Sequence, residues 1–162
     1  MENGITKENM VDFDEFIVKF RKLVRSLGLN NSNQREYVLK ILFEYDEHLS
    51  AEDIASKVKE TYNLNIGIAT VYRIIALLEE MNIIKGISID GLDRKVYELN
   101  ILAHHDHLVC VKCGKIVEFF DAELEKIQEL VANENGFEME SHNMILYGVC
   151  EECQAKEENS IG

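Results

Sequence analysis

The chain has 162 residues, which suits one domain or two small ones, and 46% of them are hydrophobic, which predicts a packed core. Its 17 basic and 30 acidic side chains give a formal net charge of −13, which excludes a protein that coats nucleic acid or acidic membranes by bulk attraction. No apolar run approaches the roughly 18 residues of a membrane span, and residues 1–15 lack the apolar segment of a secretory signal. We therefore expect a cytoplasmic protein without a membrane partner. In that compartment its four cysteines are metal ligands or redox groups rather than disulfides.

The first hundred residues carry the pattern of a winged helix-turn-helix domain. Apolar residues at helical spacing predict four helices, the first ended by Gly28 and the third opened by a capping box at Ser50. The predicted helices are Phe13–Leu27, one that begins at Ser32 or Asn33, one that begins at Ser50 with Asp53, and Ala69–Met81. Two strand-like runs, Ile84–Ile89 and Arg94–Leu99, flank a turn at Asp90-Gly91 and predict the wing. A helical bundle with an incidental hairpin is the alternative.

The pattern changes after Asn100, so we predict a first domain over residues 1–100, a hinge at 101–103 and a second domain over 104–153. Strand-like runs at 108–111, 116–120 and 137–149 surround a helix over 122–135, which Gly136 ends. Residues 154–162 are polar, and we expect a frayed tail. The predicted fold class is α+β, with an N-terminal winged helix-turn-helix domain and a C-terminal α/β domain.

Two CxxC motifs, Cys110–Cys113 and Cys150–Cys153, are separated by 36 residues. Each motif offers two thiolates to one ion, and two of them complete the tetrahedral four-sulfur site that is typical of structural zinc. Three alternatives to zinc remain. One is a redox motif, although that needs only one CxxC at a helix N-terminus, and another is iron, which a four-sulfur site can also bind. The third is a set of free buried cysteines. We predict structural zinc that ties the last strand to the first hairpin of the second domain.

Three of the five histidines, His104, His105 and His107, lie within four consecutive positions, with Asp106 among them. Side chains alternate along an extended segment, so His105 and His107 point one way and His104 and Asp106 the other. One short strand can therefore contribute to two mixed nitrogen–oxygen sites, which suit Fe(II), Mn(II), Co(II) or Zn(II). A solvated histidine-rich loop is the alternative. The candidate partner ligands are Glu98, Glu118, Glu125, His48 and His142.

An enzyme is the second class of function to weigh. His-x-Asp-His fragments also occur in metallohydrolases, where an open metal position activates water. This chain lacks a second dense ligand motif, a Gly-rich phosphate loop and a nucleophile elbow. We therefore expect a protein that is not an enzyme and keep a metallohydrolase as a minor alternative.

The predicted fourth helix has a face that is suited to DNA. Its apolar residues share one side, and the other side carries Ala69, Tyr72, Arg73 and Ala76. The small alanines would let a groove wall approach, while Tyr72 and Arg73 can reach base edges. A solvated face on which Arg73 pairs with Glu79 or Glu80 fits the periodicity equally well. The stretch Lys19–Lys40 favours DNA, because it holds six basic residues and one acidic residue, a local charge of 6 − 1 = +5.

The chain resembles the ferric uptake regulator (Fur) family of bacterial metal-sensing repressors. The matching stretches follow the family's order over most of the chain: Gln34-Arg35, Gly67–Arg73, Tyr97-Glu98, His104–His107, Cys110–Phe119 and Tyr147–Cys153. The resemblance implies that the second domain is a dimerisation domain. It also implies a homodimer, with a tetramer possible, on a double-stranded, AT-rich palindromic operator.

The resemblance also implies three metal sites. Structural zinc maps onto Cys110, Cys113, Cys150 and Cys153. The regulatory site, which links the two domains, maps onto His48, Glu98, His105, His107 and Glu118. The third site maps onto His104, Asp106, Glu125 and His142. The residues expected to contact DNA are Ala69, Thr70, Tyr72, Arg73, Arg35 and Arg25.

The regulatory carboxylates indicate the subfamily. Peroxide-sensing relatives tend to have Asp where Glu98 and Glu118 stand, and zinc-uptake regulators usually have a further Cys. The chain therefore looks most like an iron-responsive repressor of iron-uptake genes, with a peroxide- or zinc-sensing paralogue as the alternative. In one departure, Asn30 follows Gly28-Leu29 where members commonly carry a Lys that enters the minor groove. Arg25 or Lys22 is the candidate substitute.

Overall fold

The computed structural model describes residues 12–45, 47–89, 92–100 and 104–160. The predicted turn at Asp90-Gly91 and the predicted hinge at 101–103 lie outside the described residues. The chain divides into two compact units, one made of Met1–Ile87 and Lys95–Leu102 and the other of Ser88–Arg94 and Ala103–Gly162. Within the described ranges, every helix is too short or too polar to cross a bilayer.

The first unit contains four helices and most of a two-stranded sheet, whose tip, Ser88, Ile89 and Arg94, groups with the second unit. The elements are α1 (Phe13–Ser26), α2 (Asn33–Glu44), α3 (Ala51–Tyr62), α4 (Ile68–Glu80), β1 (Ile84–Ile89) and β2 (Arg94–Leu99). The four predicted helices and both strands are confirmed, with ends that differ by one residue at most where a boundary was predicted. The buried faces of the helices meet in one apolar core, whose most enclosed side chains include Leu39, Ile41, Ile54, Ile75 and Leu78.

Local sequence signals set the helix ends. Gly28 has φ +73° and terminates α1, because only glycine adopts this left-handed conformation without steric cost. Ser50 caps α3 through a capping box, in which its side chain accepts from the Asp53 N–H and the Asp53 carboxylate accepts from the Ser50 N–H. The predicted capping box is therefore confirmed. Ser32 precedes α2 without a side-chain cap.

A short bridge joins the loop before α3 to the second strand of the wing. The Leu49 N–H donates to the Tyr97 carbonyl at 3.1 Å, and the Tyr97 N–H donates back at 2.9 Å. This antiparallel bridge places the residues beside it, His48 and Glu98, next to each other. The fold of the first unit thus brings together two candidate metal ligands that are 50 positions apart in the sequence.

The second unit is a three-stranded sheet with two helices. Its elements are β3 (Asp106–Cys110), β4 (Ile116–Phe119), α5 (Ala122–Glu134), β5 (Ile145–Gly148) and α6 (Glu151–Ser160). The strand order is β4-β3-β5, with β3 antiparallel to β4 and parallel to β5. The described part of this unit has few fully buried side chains, and three of them are the polar His105, Asp106 and His107.

Two expectations for the second unit are wrong. The predicted strands over 137–149 reduce to β5 alone, and the predicted frayed tail is helical as far as Ser160. The helix begins at the second CxxC motif, where the N–H groups of Cys153 and Gln154 both donate to the Cys150 carbonyl. Glu151 and Glu152 in its first turn interact favourably with the positive end of the helix dipole.

Candidate metal centres and nucleic-acid interface

The four cysteines meet at one end of the second unit. Cys110 ends β3, Cys113 lies in the following turn, and Cys150 and Cys153 come after β5, which runs parallel beside β3. Their sulfur atoms all lie within 4.8 Å of one another, and the Sγ atoms of Cys113 and Cys150 are 3.7 Å apart. Tetrahedral zinc with Zn–S bonds of about 2.3 Å requires sulfur separations of roughly 3.8 Å. The spacing therefore fits a four-thiolate zinc site.

Neighbouring groups shift the pKa values of two of these thiols in opposite directions. The backbone N–H groups of Cys150 and Cys113 donate to the sulfur of Cys110 and lower its pKa to about 6. The neighbouring sulfurs of Cys150 and Cys113, together with burial, raise the pKa of Cys153 to about 12. Crowding thus opposes a full set of thiolates in this cluster. A divalent cation is the partner that stabilises all four in the ionised form.

In the first unit, His48 and Glu98 form a compact pair. The His48 Nε2 and Glu98 Oε2 atoms are 3.1 Å apart, and the Glu98 side chain is only 5% exposed. The other carboxylate oxygen, Oε1, lies 3.0 Å from the ammonium of Lys85 on β1. Imidazole nitrogen and carboxylate oxygen form the donor set that suits Fe(II), Mn(II) or Zn(II).

In the second unit, the structure brings together His105, His107 and Glu118. His107 pairs directly with Glu118 in the register of β3 and β4, so both lie on the same face of the sheet. The His105 Nε2 atom lies 3.9 Å from Glu118 Oε2, and the two imidazole rings have centroids 4.8 Å apart. Both histidines are buried. These three residues form a second set of nitrogen and oxygen ligands.

His104, Asp106, Glu125 and His142 form a separate cluster, also within the second unit. The Glu125 Oε1 atom lies 3.4 Å from the Nε2 atoms of both His104 and His142, and Asp106 Oδ1 lies 3.6 and 3.7 Å from the same two nitrogens. Ligands about 2.1 Å from one tetrahedral ion stand roughly 3.4 Å apart. The Met144 N–H donates to Asp106 Oδ1 at 3.3 Å and so orients this carboxylate.

Buried polar atoms in this cluster test whether a metal fits there. The Nε2 atom of His142, Oε1 of Glu125 and Oδ2 of Asp106 are shielded from solvent and make no hydrogen bond to any described residue. Buried polar groups in native proteins normally have a partner, and leaving one unsatisfied costs about 1–3 kcal/mol. A divalent cation bound between these atoms would satisfy them together.

The exposed face of α4 carries the residues expected to read DNA. Ala69, Tyr72 and Arg73 are exposed, and Thr70 is half-buried beside them. The Tyr72 hydroxyl donates to Glu52 Oε1 at 3.0 Å, and this hydrogen bond raises the pKa of Tyr72. The Glu79 carboxylate accepts from Lys95 at 2.7 Å, so Glu79 is engaged by the wing.

The basic stretch Lys19–Lys40 is partly neutralised. The Arg21 guanidinium binds both carboxylate oxygens of Glu36. Lys19 pairs with Glu15 and Lys40 pairs with Glu44, and both glutamates lie just outside the stretch. Half of the six basic residues are therefore engaged in ion pairs. The others include Arg25, which is exposed, and Arg35, whose Nη1 donates to the Asn30 carbonyl at 2.7 Å. The local charge available to phosphates is therefore smaller than the predicted +5.

Sequence reasoning missed two contacts beside these residues. Lys85 was not singled out, because its ion pair with Glu98 depends on how the two wing strands pair. Glu52 was not connected with Tyr72, because the two residues lie on different helices. By contrast, the pairs Glu15–Lys19 and Lys40–Glu44 have i,i+4 spacing and could have been found from the sequence.

The fold and the ligand clusters define a class of protein: a winged-helix unit combined with a metal-binding α/β unit. The family model described as the ferric uptake regulator family matches residues 26–147, and the chain belongs to this family. A ferric uptake regulation protein of Campylobacter upsaliensis is 42% identical over 150 residues, which cover 92% of this chain and 95% of the relative.

Two solved structures extend the similarity to the fold. The ferric uptake regulator Fur of Helicobacter pylori, described as having three functional metal-binding sites, matches with a TM-score of 0.81 and 35% identity, covering 89% of this chain and 95% of that chain. The ferric uptake regulator of Francisella tularensis, solved with iron, matches with a TM-score of 0.68 and 35% identity, covering 78% of this chain and 96% of that chain.

Proposed function

We propose that this chain is an iron-responsive transcriptional regulator that binds operator DNA as a homodimer and represses iron-uptake genes. The observation that carries the proposal is that a strand of the wing itself holds a candidate metal ligand. Glu98 on β2 stands 3.1 Å from His48, within the same unit as the exposed face of α4. Metal occupancy and DNA binding therefore meet in one small, tightly packed unit.

The five residues proposed for the regulatory site are His48 and Glu98 from the first unit and His105, His107 and Glu118 from the second. Five nitrogen and oxygen ligands suit Fe(II), and Mn(II), Co(II) or Zn(II) can substitute. The cation supplies two positive charges and a fixed coordination geometry. The proposed role of the five side chains is to favour one arrangement of the two units when metal is bound. The metal binds that arrangement more tightly than the others, and this difference in metal affinity makes DNA binding responsive to iron.

The two other ligand clusters have different proposed roles. The cysteine cluster holds structural zinc, because a unit with so few buried apolar residues needs a cross-link such as a metal ion to be stable. The cluster around Asp106 holds a third ion, which the orphaned atoms of His142 and Glu125 support. Neither of these two clusters includes a residue of the wing.

An exposed apolar surface on the second unit supports the homodimer. Leu108, Val117 and Leu146 lie side by side across the three strands, and each is 44–45% exposed. Helix α5 buries none of its residues, although it carries Ile127, Leu130 and Val131, which are more than half exposed. Apolar surface of this kind marks a protein–protein contact. A second copy of the chain is the proposed occupant, and a tetramer is an extension of the same proposal.

The proposed partner of the first unit is double-stranded DNA in the bacterial cytoplasm. Arg73 offers a bidentate fork to guanine, and Tyr72 can contact a thymine methyl group. Phosphate contacts come from Arg25 and Arg35, with Arg25 or Lys22 taking the minor-groove role that Asn30 cannot fill. A two-fold dimer presents two such helices, so the operator is an inverted repeat, and the proposed repeat is AT-rich.

Band-shift titration on an AT-rich inverted repeat tests this function. We expect binding with Mn(II), used as an air-stable substitute for Fe(II), and binding at least tenfold weaker in excess chelator. Structural zinc must be quantified in both samples, so that loss of zinc is not mistaken for loss of the regulatory ion. The same weak binding with and without Mn(II) would contradict the proposal.

The alternatives predict different results in the same preparation. Steady turnover of a phosphodiester or an amide by the Mn(II)-loaded protein would support the metallohydrolase. A zinc-sensing paralogue would respond to Zn(II) at concentrations where Mn(II) and Fe(II) have no effect. A peroxide-sensing paralogue would lose operator binding irreversibly when the Fe(II)-loaded protein meets hydrogen peroxide.

A further inference from the structure

The ion pair between Lys85 and Glu98 has no part in the function proposed so far. Lys85 lies on β1 and Glu98 on β2, and the ammonium stands 3.0 Å from Glu98 Oε1. The second oxygen, Oε2, stands 3.1 Å from His48 Nε2. The two oxygens of the Glu98 carboxylate therefore face different groups: one faces the amino group of Lys85, and the other faces His48, a proposed ligand of the regulatory site.

The burial of Glu98 makes this ammonium important. The Glu98 side chain is 5% exposed, whereas the Lys85 side chain is 25% exposed. A carboxylate removed from water is costly unless a positive charge or several donors compensate it. Lys85 provides that charge from the protein itself and therefore stabilises the ionised form of Glu98 when no metal is bound.

We propose that Lys85 acts as a built-in counter-ion that competes with the regulatory metal for Glu98 and so lowers the metal affinity of the site. The inference rests on the proposed role of Glu98 as a metal ligand. A cation that binds Glu98 must share its carboxylate with the ammonium and meets the repulsion of a like charge a few ångströms away. At an effective dielectric constant near 20, unit charges about 4 Å apart interact strongly enough to change affinity by more than tenfold.

The sign of the effect follows from both states of the protein. Without Lys85, the metal-free state loses the charge that compensates a buried carboxylate, so that state is destabilised. The metal-bound state loses a repulsive neighbour, so that state is stabilised. Both changes favour binding, and removal of Lys85 therefore tightens metal binding. Lys85 is in this sense a positioning residue that sets the iron concentration to which the site responds.

Calorimetric titration of the full, zinc-loaded chain with Mn(II) tests the inference. We expect Lys85→Met to bind Mn(II) at least tenfold more tightly than the wild type, in line with the loss of one like charge. In thermal unfolding, the metal-free variant should melt below the metal-free wild type and gain more in Tm on Mn(II) addition, because tighter binding to the folded state stabilises it more. Lys85→Gln removes the charge but keeps a polar side chain, and it serves if Lys85→Met fails to fold.

Lys95→Met is the matched control. Lys95 lies on β2 and pairs at 2.7 Å with Glu79, which is not a proposed ligand, so its removal should leave Mn(II) affinity unchanged. Lys85→Met in a Glu98→Gln background should not restore the Mn(II) that Glu98→Gln loses, because the carboxylate for which the ammonium competes is gone. Affinity that is equal to or weaker than wild type in both Lys85 variants would overturn the inference.

The Glu98→Gln variant alone separates the two possible failures. If it loses one bound Mn(II) while the Lys85 variants match the wild type, the regulatory site stands and only the competition is wrong. If it binds as many Mn(II) ions as the wild type with the same affinity, Glu98 is not a ligand, and both the proposed site and the role of Lys85 are overturned.

Discussion

Cys150→Ser is expected to release the tightly bound zinc and unfold the second unit. Structural zinc contributes about 10–16 kcal/mol of apparent binding free energy in small zinc domains, which equals or exceeds the total stability of about 5–15 kcal/mol of an ordinary domain. The second unit has little else to hold it, because its described buried residues are few and include three polar side chains. Cys150 lies two residues after the end of β5 and immediately before α6, so both elements lose their anchor.

Zinc that survives dialysis against EDTA, together with thermal unfolding of the full chain, measures this effect. The wild type should retain one such zinc per chain, and Cys150→Ser should retain none and show an early unfolding transition. Lys112→Ala is the control in the same loop, because it removes an exposed side chain between Cys110 and Cys113 but no sulfur. Full zinc retention and an unchanged Tm in Cys150→Ser would refute a four-cysteine structural site.

Arg73→Ala is expected to remove most of the sequence-specific DNA binding while leaving fold, metal content and dimer intact. Arg73 is exposed on α4 beside Tyr72 and lies outside the core, so its loss costs little stability. A bidentate arginine–guanine contact is worth about 1–3 kcal/mol of discrimination, or roughly 5- to 150-fold in affinity. A dimer loses this contact at both half-sites, so the total effect on operator binding is larger.

Competition with non-specific DNA distinguishes lost sequence reading from lost charge. We expect Arg73→Ala to weaken binding to the operator far more than binding to random DNA, because phosphate contacts do not depend on sequence. Lys126→Ala, on the exposed surface of α5, removes the same unit of charge and should leave operator binding within a factor of two of wild type. Equal operator affinity for Arg73→Ala and wild type would exclude Arg73 from the reading face.

Local signals made most of the fold predictable. The capping box at Ser50, the glycine after α1 and the alternating runs of the wing each depend on neighbouring residues, and each appears in the structure as predicted. The prediction of a frayed tail is wrong, because a polar composition does not by itself prevent a helix. The Cys150 carbonyl accepts the first hydrogen bonds of this helix, so the second CxxC motif both supplies sulfur ligands and starts α6.

The candidate sites were predictable to the extent that they depend on strand alternation. Alternation alone separated His105 and His107 from His104 and Asp106, and the structure brings the second pair together with Glu125. The sequence could not show the bridge between Leu49 and Tyr97, which brings His48 to Glu98, because it joins positions far apart in the chain. The ion pair of Lys85 was hidden for the same reason.

The proposed function requires the regulatory metal and operator DNA to stabilise the same state of the protein. Thermodynamic linkage requires such coupling to be reciprocal, so a metal that tightens DNA binding by some factor must itself bind more tightly, by the same factor, when DNA is present. Mn(II) affinity measured with and without saturating operator DNA tests this most directly. We expect tighter Mn(II) binding with the operator, by the factor seen in band shifts, and no change with random DNA. The same Mn(II) affinity with and without the operator would contradict it.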